Sequence, residues 1–319
     1  MAGRPAALSF AEAVAAAFEL GRPVSEPAFA ARGELGRVWR LETDEGVWAV
    51  KELFETSDAD TAAATADVAF QLAARAAGVL APRPVLGVGG SPVHDVDGRQ
   101  VRVYEWHDLR PDLGPPPIEE AATALAAIHG LRWPVDGPPH PWFSEPVGEL
   151  AWQTLLKDAR RADARWADAV ADLLPDLLRN EEHIAAPPPA ALQRCHLDFN
   201  LDNLVLDGQR RLVVIDWENS GPADPAQEVA SVLVELCGEG EGDAVRRFLE
   251  AYGPFEPFGP EVFSLAFAVQ GHLLEFYARR RLRPDTTDED RARSVWRIEE
   301  IVRAPLTVSR AERLLAAVP

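Results

Sequence analysis

Cysteine is nearly absent: Cys195 and Cys237 are the two in a chain of 319 residues. Neither belongs to a Cys-x-x-Cys or Cys/His spacing, which argues against a disulfide framework and a zinc site. Both stand in apolar contexts and read as buried free thiols, as suits a reducing compartment. Long apolar runs are missing too. No window reaches ~18 uncharged apolar residues, so no membrane-spanning helix is expected. The Ala-rich segment after Met1-Ala2-Gly3-Arg4-Pro5 is interrupted by Glu12 and Glu19, which denies it a signal peptide's apolar core; a cytoplasmic location is the expectation. Basic residues are scarce, 32 against 51 acidic, for a net charge of −19. A field of that sign repels nucleic acid and anionic membrane, so neither is expected as a partner, and it favours a cationic ligand. It also serves solubility alone. Internal repeats, a Walker A loop, a Gly-x-Ser-x-Gly elbow and a His-Glu-x-x-His helix are all lacking.

What is there is 47% hydrophobic and 26% charged, the composition of a soluble globular chain, enough for one large domain or two modest ones. Ser9-Phe10-Ala11-Glu12 reads as a capping box opening a helix whose apolar face is Phe10, Ala13, Val14, Ala17 and Phe18. A glycine-bearing stretch, 31–41, turns at Thr43-Asp44-Glu45-Gly46 into Val47–Leu53, predicting two antiparallel strands with Lys51 near the end of the second. A third short strand is expected near Phe29–Ala31. Thr61–Ala77 reads as a helix ended by Gly78. Short strands at Pro84–Gly87, Val93–Val96 and Gln100–Trp106 complete a small sheet. Leu109–Pro117 is a proline-rich linker. Beyond it the pattern is helical: Ile118–Ile128, then Leu150–Leu174 broken at Pro175 and resuming to His183, then Ala226–Leu236, Ala244–Ala251, Glu261–Arg281 and Glu289–Arg303. Pro134–Pro141 and the acidic Gly238–Gly242 read as loops. The expected class is α+β: residues 1–108 as a small antiparallel β-sheet lobe, 109–319 as a larger, mainly helical lobe. A cleft between unequal lobes is a common ligand site.

Inside the helical part lies one β signal. Leu204–Leu206 and Leu212–Ile215 flank Asp207-Gly208, the form of a hairpin. Antiparallel pairing sets the start of one strand beside the end of the other, so Asn203 and Asp216 should arrive together. An Asn/Asp pair holds a hard cation, and Asp198, just before the hairpin, is a carboxylate that accepts a proton; together they suit phosphoryl transfer. Singly, each has a bland reading: caps and turns for Asp198, Asn203 and Asp216, a buried satisfied histidine for His196, a surface lysine for Lys51. A glycosidase pair of Asp198 and Asp216 leaves Asn203 and Lys51 without roles.

His196-Leu197-Asp198 with Asn203 five residues on, followed by Ile215-Asp216-Trp217-Glu218, resembles the aminoglycoside phosphotransferase/choline kinase family of small-molecule kinases, which share the protein-kinase-like fold. Lys51, Leu125-Ala126-Ala127-Ile128-His129 and Gly221-Pro222-Ala223-Asp224-Pro225-Ala226-Gln227-Glu228 fall in the family's order, so the resemblance covers nearly the whole chain. It implies a protein-kinase-like two-lobe fold, ATP and Mg²⁺ as cofactors, and a small-molecule acceptor, in a monomer or homodimer. Asp198 is then the catalytic base, worth roughly 10²–10⁴ in rate, and His196 braces its loop. Asn203 and Asp216 hold the metal, Lys51 the α/β-phosphates, and Glu105 and Trp106 the adenine hinge. The chain departs from the family in three places. Leu197 replaces a glycine and should resist positive φ. Asp67 replaces the helix glutamate that pairs with the lysine, with Gln71 one turn on. Glu228 replaces an aspartate and should keep its loop-bracing charge.

Candidate substrate walls are Glu235, Glu239, Glu241, Glu275 and Trp142, an acidic and aromatic set suited to amino sugars or choline-like amines; each also fits a solvated helix face. The implied activity is transfer of the γ-phosphate to a hydroxyl of a small polar, cationic molecule such as an aminoglycoside, with antibiotic resistance one biological use of it. Metabolic sugar or amino-alcohol kinases are alternatives, and a nucleotide-binding pseudokinase acting as a regulatory module is another.

Overall fold

The computed structural model describes residues 9–34, 36–54, 61–237, 242–255, 257 and 259–319. The chain opens with α1 (Phe10–Phe18), β1 (Ala28–Arg32), β2 (Gly36–Thr43), β3 (Gly46–Leu53), α2 (Thr61–Ala76), β4 (Pro84–Val85), β5 (His94–Val96) and β6 (Arg99–Glu105). It continues through α3 (Ile118–Gly130), α4 (Pro141–Ser144), α5 (Glu149–Arg161), α6 (Ala167–Glu181), β7 (Gln193–Cys195), β8 (Leu204–Leu206) and β9 (Leu212–Val214). It ends with β10 (Gly221–Ala223), α7 (Pro225–Cys237), α8 (Gly242–Tyr252), α9 (Ser264–Leu282), α10 (Asp288–Arg303) and α11 (Val308–Leu315). Among the described residues no helix is long and apolar enough to cross a membrane.

Two compact units emerge from the contacts: Met1–Pro116 with Asp202–Ser220, and Pro117–Leu201 with Gly221–Pro319. This differs from a simple break near residue 108, because the hairpin segment joins the first unit. Val214 N–H donates to Leu80 O, Arg110 N–H to Leu206 O and Gly208 N–H to Asp108 O. Trp217 also packs edge-on against Phe70 of α2, centroids 5.7 Å apart.

The first unit is an antiparallel sheet in the order β1-β2-β3-β6-β4, with β5 also on β6. The capping box forms, Ser9 Oγ accepting from Glu12 N–H and Glu12 receiving Ser9 N–H. It launches α1, whose Ala11, Val14, Ala15 and Phe18 pack on Leu41, Val50, Val101 and Val103 from one face of the sheet. Gly78, at φ 99, ends the turn after α2, a left-handed position that glycine takes without strain.

The second unit is helical. Its core joins Trp152, Leu155 and Ala159 of α5, Val170 and Leu177 of α6, Leu274 and Tyr277 of α9 and Ile298 of α10. Pro175 does not break the chain: it lies inside α6, and the interruption falls after Arg161, where Asp163 takes φ 49. α4, four residues long, is too short for a periodic signal. α11 is nucleated by Thr307, whose hydroxyl accepts from Arg310 N–H.

Candidate active site

The register of the sheet decides what stands beside Lys51. β3 and β6 are neighbours, with Val50 opposite Val103 and Lys51 opposite Arg102. The two valines face α1, so alternation turns Lys51 and Arg102 to the other face. There Arg102, 9% exposed, pairs with Asp67 of α2, 5% exposed, at 3.5 Å. Ser220 Oγ donates to the other oxygen of Asp67 at 3.1 Å. The carboxylates at Lys51 come from far along the chain. Its Nζ donates to Asp216 Oδ1 and lies 3.0 Å from Glu218 Oε1, an oxygen that also accepts from the Tyr104 hydroxyl at 2.8 Å. Asp67, the expected partner of Lys51, is thus engaged by Arg102, and Asp216 and Glu218 take that place.

Burial opposes the charge of Lys51, but Glu218 and Asp216 outweigh it and hold the ammonium far above its usual range. Burial opposes the charge of Glu218 too, and Lys51 and Arg102 outweigh it, so this carboxyl sits far below its usual range. Asp216 is pushed the other way: burial raises it, and Glu218 adds to that against the pull of Lys51. Burial and then Glu218 raise the Tyr104 phenol. Two cations face three carboxylates, so the cluster carries one surplus negative charge.

The hairpin brings the metal candidates to one end. Leu204 pairs with Val214 and Leu206 with Leu212, and Asp207 closes the turn by accepting from the N–H groups of Gln209 and Arg211. At the open end Ile215 N–H donates to Asn203 O at 3.0 Å. Asp216 follows in a left-handed conformation, φ 62 and ψ 60, which Asp tolerates better than most side chains. It stands at the cap of the 3₁₀ turn Trp217–Asn219 without capping it, and its carboxylate reaches Lys51 instead. A carboxylate at one hairpin end, with an asparagine directly before the facing strand, is a donor set that suits Mg²⁺, which keeps several waters and needs few protein ligands. Glu105 ends β6 and Trp106 follows it. Their N–H groups donate to Arg83 O and Val47 O, the Glu105 carboxylate meets Arg83 at 3.4 Å, and the Arg40 guanidinium lies over the Trp106 ring.

His196, Leu197 and Asp198 belong to the second unit, after β7. Leucine at 197 does take positive φ, 63°, against the expectation that it would resist. What holds it is Glu228 of α7, 2% exposed. Its carboxylate accepts from Leu197 N–H, from His196 N–H at 3.3 Å, and faces His129 Nε2 at 2.7 Å. His129 Nδ1 meets the Tyr252 hydroxyl at the end of α8, 2.8 Å away. Charge-assisted bonds of this kind offset the roughly 1–2 kcal/mol that left-handed backbone costs a leucine. Fully buried, His196 accepts from Asp198 N–H at 3.3 Å and packs edge-on to Phe199. The Asp198 carboxylate is oriented by Asn200 Nδ2 at 2.6 Å. His129, Cys195 and Glu228 bring ligand-type atoms within 4.8 Å of one another. Burial, followed by Glu228, keeps the Cys195 thiol protonated, so this triplet is a hydrogen-bonded brace and a poor cation site.

Of the substrate candidates, Glu275 and Trp142 meet at His272 of α9. Glu275 pairs with Arg279 at 2.8 Å and His272 at 3.9 Å, which neutralises it. Trp142 stacks on His272, centroids 5.6 Å apart, and meets Phe276 edge-on. Glu235 is exposed on α7. Glu239 and Glu241 lie outside the described residues. Residues given no role by the sequence pattern include Glu218 and His129, although both stand inside motifs that were legible. Tyr104 and Arg102 share a strand face by simple alternation, but only the pairing of β3 with β6 reveals what they meet.

A sequence model of the phosphotransferase enzyme family matches residues 28–265. No curated protein matches the chain in sequence. Among solved structures, a spectinomycin phosphotransferase in complex with ADP and spectinomycin superposes with TM-score 0.64 at 11% identity, covering 91% of this chain and 92% of its own. An amicoumacin kinase in complex with AMP-PNP, Ca²⁺ and Ami gives 0.60 at 12% identity, covering 92% of each chain. A choline kinase from Streptococcus pneumoniae gives 0.53 at 16% identity, over 89% of this chain and 95% of its own. These likenesses define a kinase-like α+β fold.

Proposed function

The chain belongs to the phosphotransferase enzyme family, and from that premise we propose that it is an ATP- and Mg²⁺-dependent kinase phosphorylating a hydroxyl of a small polar molecule. The observation that carries the reading is the cluster at Lys51. A partly buried lysine, ion-paired to the aspartate at one end of a hairpin whose other strand directly follows an asparagine, would serve as a phosphate-binding cation beside a metal-binding pair. Asn203 and Asp216 would hold the ion, whose chemistry is to offset charge on the phosphate oxygens. Lys51 supplies a fixed positive charge to the same phosphates. Asp198, held by Asn200 and by the braced loop, orients the acceptor hydroxyl and takes its proton.

The acceptor class stays broad. The ion pair of Glu275 with Arg279 weakens one acidic wall that favoured a polyamine, and the partly buried aromatic pair Trp142/His272 suits a sugar ring or an alkylammonium equally. Amino sugars, sugars and amino alcohols therefore form the panel, scored by gain of one phosphate in mass spectrometry. A phosphorylated product that needs Mg²⁺ and disappears in Asp198→Ala supports the reading. ATP binding without any product across the panel favours the pseudokinase alternative.

A further inference from the structure

We propose that Glu218, and not the α2 carboxylate Asp67, positions Lys51 for the nucleotide phosphates, with Arg102 holding Asp67 for itself. This rests on the nucleotide reading above and names the residue that makes the site work in this chain. Lys51 and Arg102 are directly opposite across β3 and β6. Like charges so placed repel, and each buried cation needs its own carboxylate. The cluster divides accordingly. Arg102 takes Asp67 at 3.5 Å, and Lys51 takes Glu218 at 3.0 Å.

Each carboxylate is fixed by its own hydroxyl: Ser220 Oγ for Asp67 at 3.1 Å and Tyr104 for Glu218 at 2.8 Å. Glu218 lies on the 3₁₀ turn Trp217–Asn219 and Ser220 directly follows it, so one short turn sets both pairs. Trp217, buried in that turn, packs on Phe70 of α2. On the nucleotide reading Asp216, which here accepts from Lys51, would turn to the metal, leaving Glu218 as the standing partner of the lysine. Tyr104 and Glu218 are positioning residues that act through Lys51.

Calorimetric titration of the whole protein with ATP plus Mg²⁺, and separately with adenosine, tests the assignment. Glu218→Gln is expected to weaken ATP by about tenfold, the scale of one charge-assisted hydrogen bond, and to leave adenosine unchanged; a merely structural disturbance would weaken both. Tyr104→Phe, which keeps the ring, moves ATP affinity the same way by a smaller factor and serves if Glu218→Gln fails to fold. Removing the other pair together, Asp67→Asn with Arg102→Met, weakens ATP by less than Glu218→Gln does, since no direct contact to Lys51 is lost. Combining Glu218→Gln with Arg102→Met releases Asp67 toward Lys51 and restores part of the lost affinity. Equal ATP loss in the Asp67/Arg102 double variant and in Glu218→Gln overturns the assignment, as does an unchanged Glu218→Gln. Failure of the unaltered protein to bind ATP removes the nucleotide reading itself, and this assignment with it.

Discussion

Two glutamates, the partly buried Glu218 of the first unit and the buried Glu228 of the second, do comparable work by different physics. Glu218 fixes a side-chain charge: it meets Lys51 and Tyr104, and every partner is a side chain. Glu228 fixes backbone: it receives the N–H groups of His196 and Leu197 and is backed by His129 and Tyr252. The first is a balance of buried charges, sensitive to any change in their number. The second is a clamp on strained backbone, sensitive to the conformational preference of residue 197. Losing Glu218 should therefore act on affinity for phosphates, and losing Glu228 on the geometry around Asp198.

The comparison can be broken in several ways. The largest effect is expected from Asp198→Ala, which removes the proton acceptor and should lower turnover by about 10²–10⁴ while ATP binding is retained; parallel loss of binding would mean that Asp198 is structural. Next is Glu228→Ala, which strands two buried N–H groups and should cost about 3 kcal/mol of unfolding free energy in chemical denaturation. In a Leu197→Gly background that cost should shrink by about 1 kcal/mol, because glycine takes positive φ without a clamp. A full, undiminished cost would show that Glu228 does not act through Leu197.

A pH effect follows from the same clamp. Burial opposes ionisation of Glu228, yet His129, His196 and the Leu197 N–H outweigh it and lower its pKa. A lowered folded-state value means stability that is fully present above the unfolded-state pKa, about 4.3. It is lost as pH falls toward the native value. Thermal midpoints recorded at descending pH should drop more steeply below that point in the unaltered protein than in Glu228→Gln; identical slopes would contradict the clamp. The smallest effect is expected at Glu275→Gln. It breaks a helix-surface pair with Arg279 worth no more than about 0.5 kcal/mol, and acceptor KM should move little if this acid is as neutralised as its geometry indicates.

Much of this was readable from the residues. The capping box at Ser9, the strand bearing Lys51, and the hairpin joining Asn203 to Asp216 each rest on local chemistry, so periodicity and turn residues carried them. The pairing of Lys51 with Glu218 rests on something else. β3 and β6 are separated by a helix and two short strands, and no local pattern states that Lys51 faces Arg102. Without that register, Asp67 looks like the natural partner of the lysine. Leu197 is illegible for a related reason: its own preference disfavours positive φ, and the residue that overrides it lies 31 positions away. Pro175 shows the converse, a strong local breaker absorbed within a helix whose Val170, Leu173 and Leu177 are buried.

The central claim, that the chain moves a phosphoryl group from ATP to a hydroxyl with Asp198 as proton acceptor, is tested most directly with ATP labelled in the γ-phosphate. The protein is incubated with the panel of amino sugars, sugars and amino alcohols, and the label is followed. Label appearing on an organic acceptor, dependent on Mg²⁺ and absent in Asp198→Ala, is the predicted result. Label remaining in ATP, or passing only to inorganic phosphate with every acceptor while ATP still binds, would contradict it.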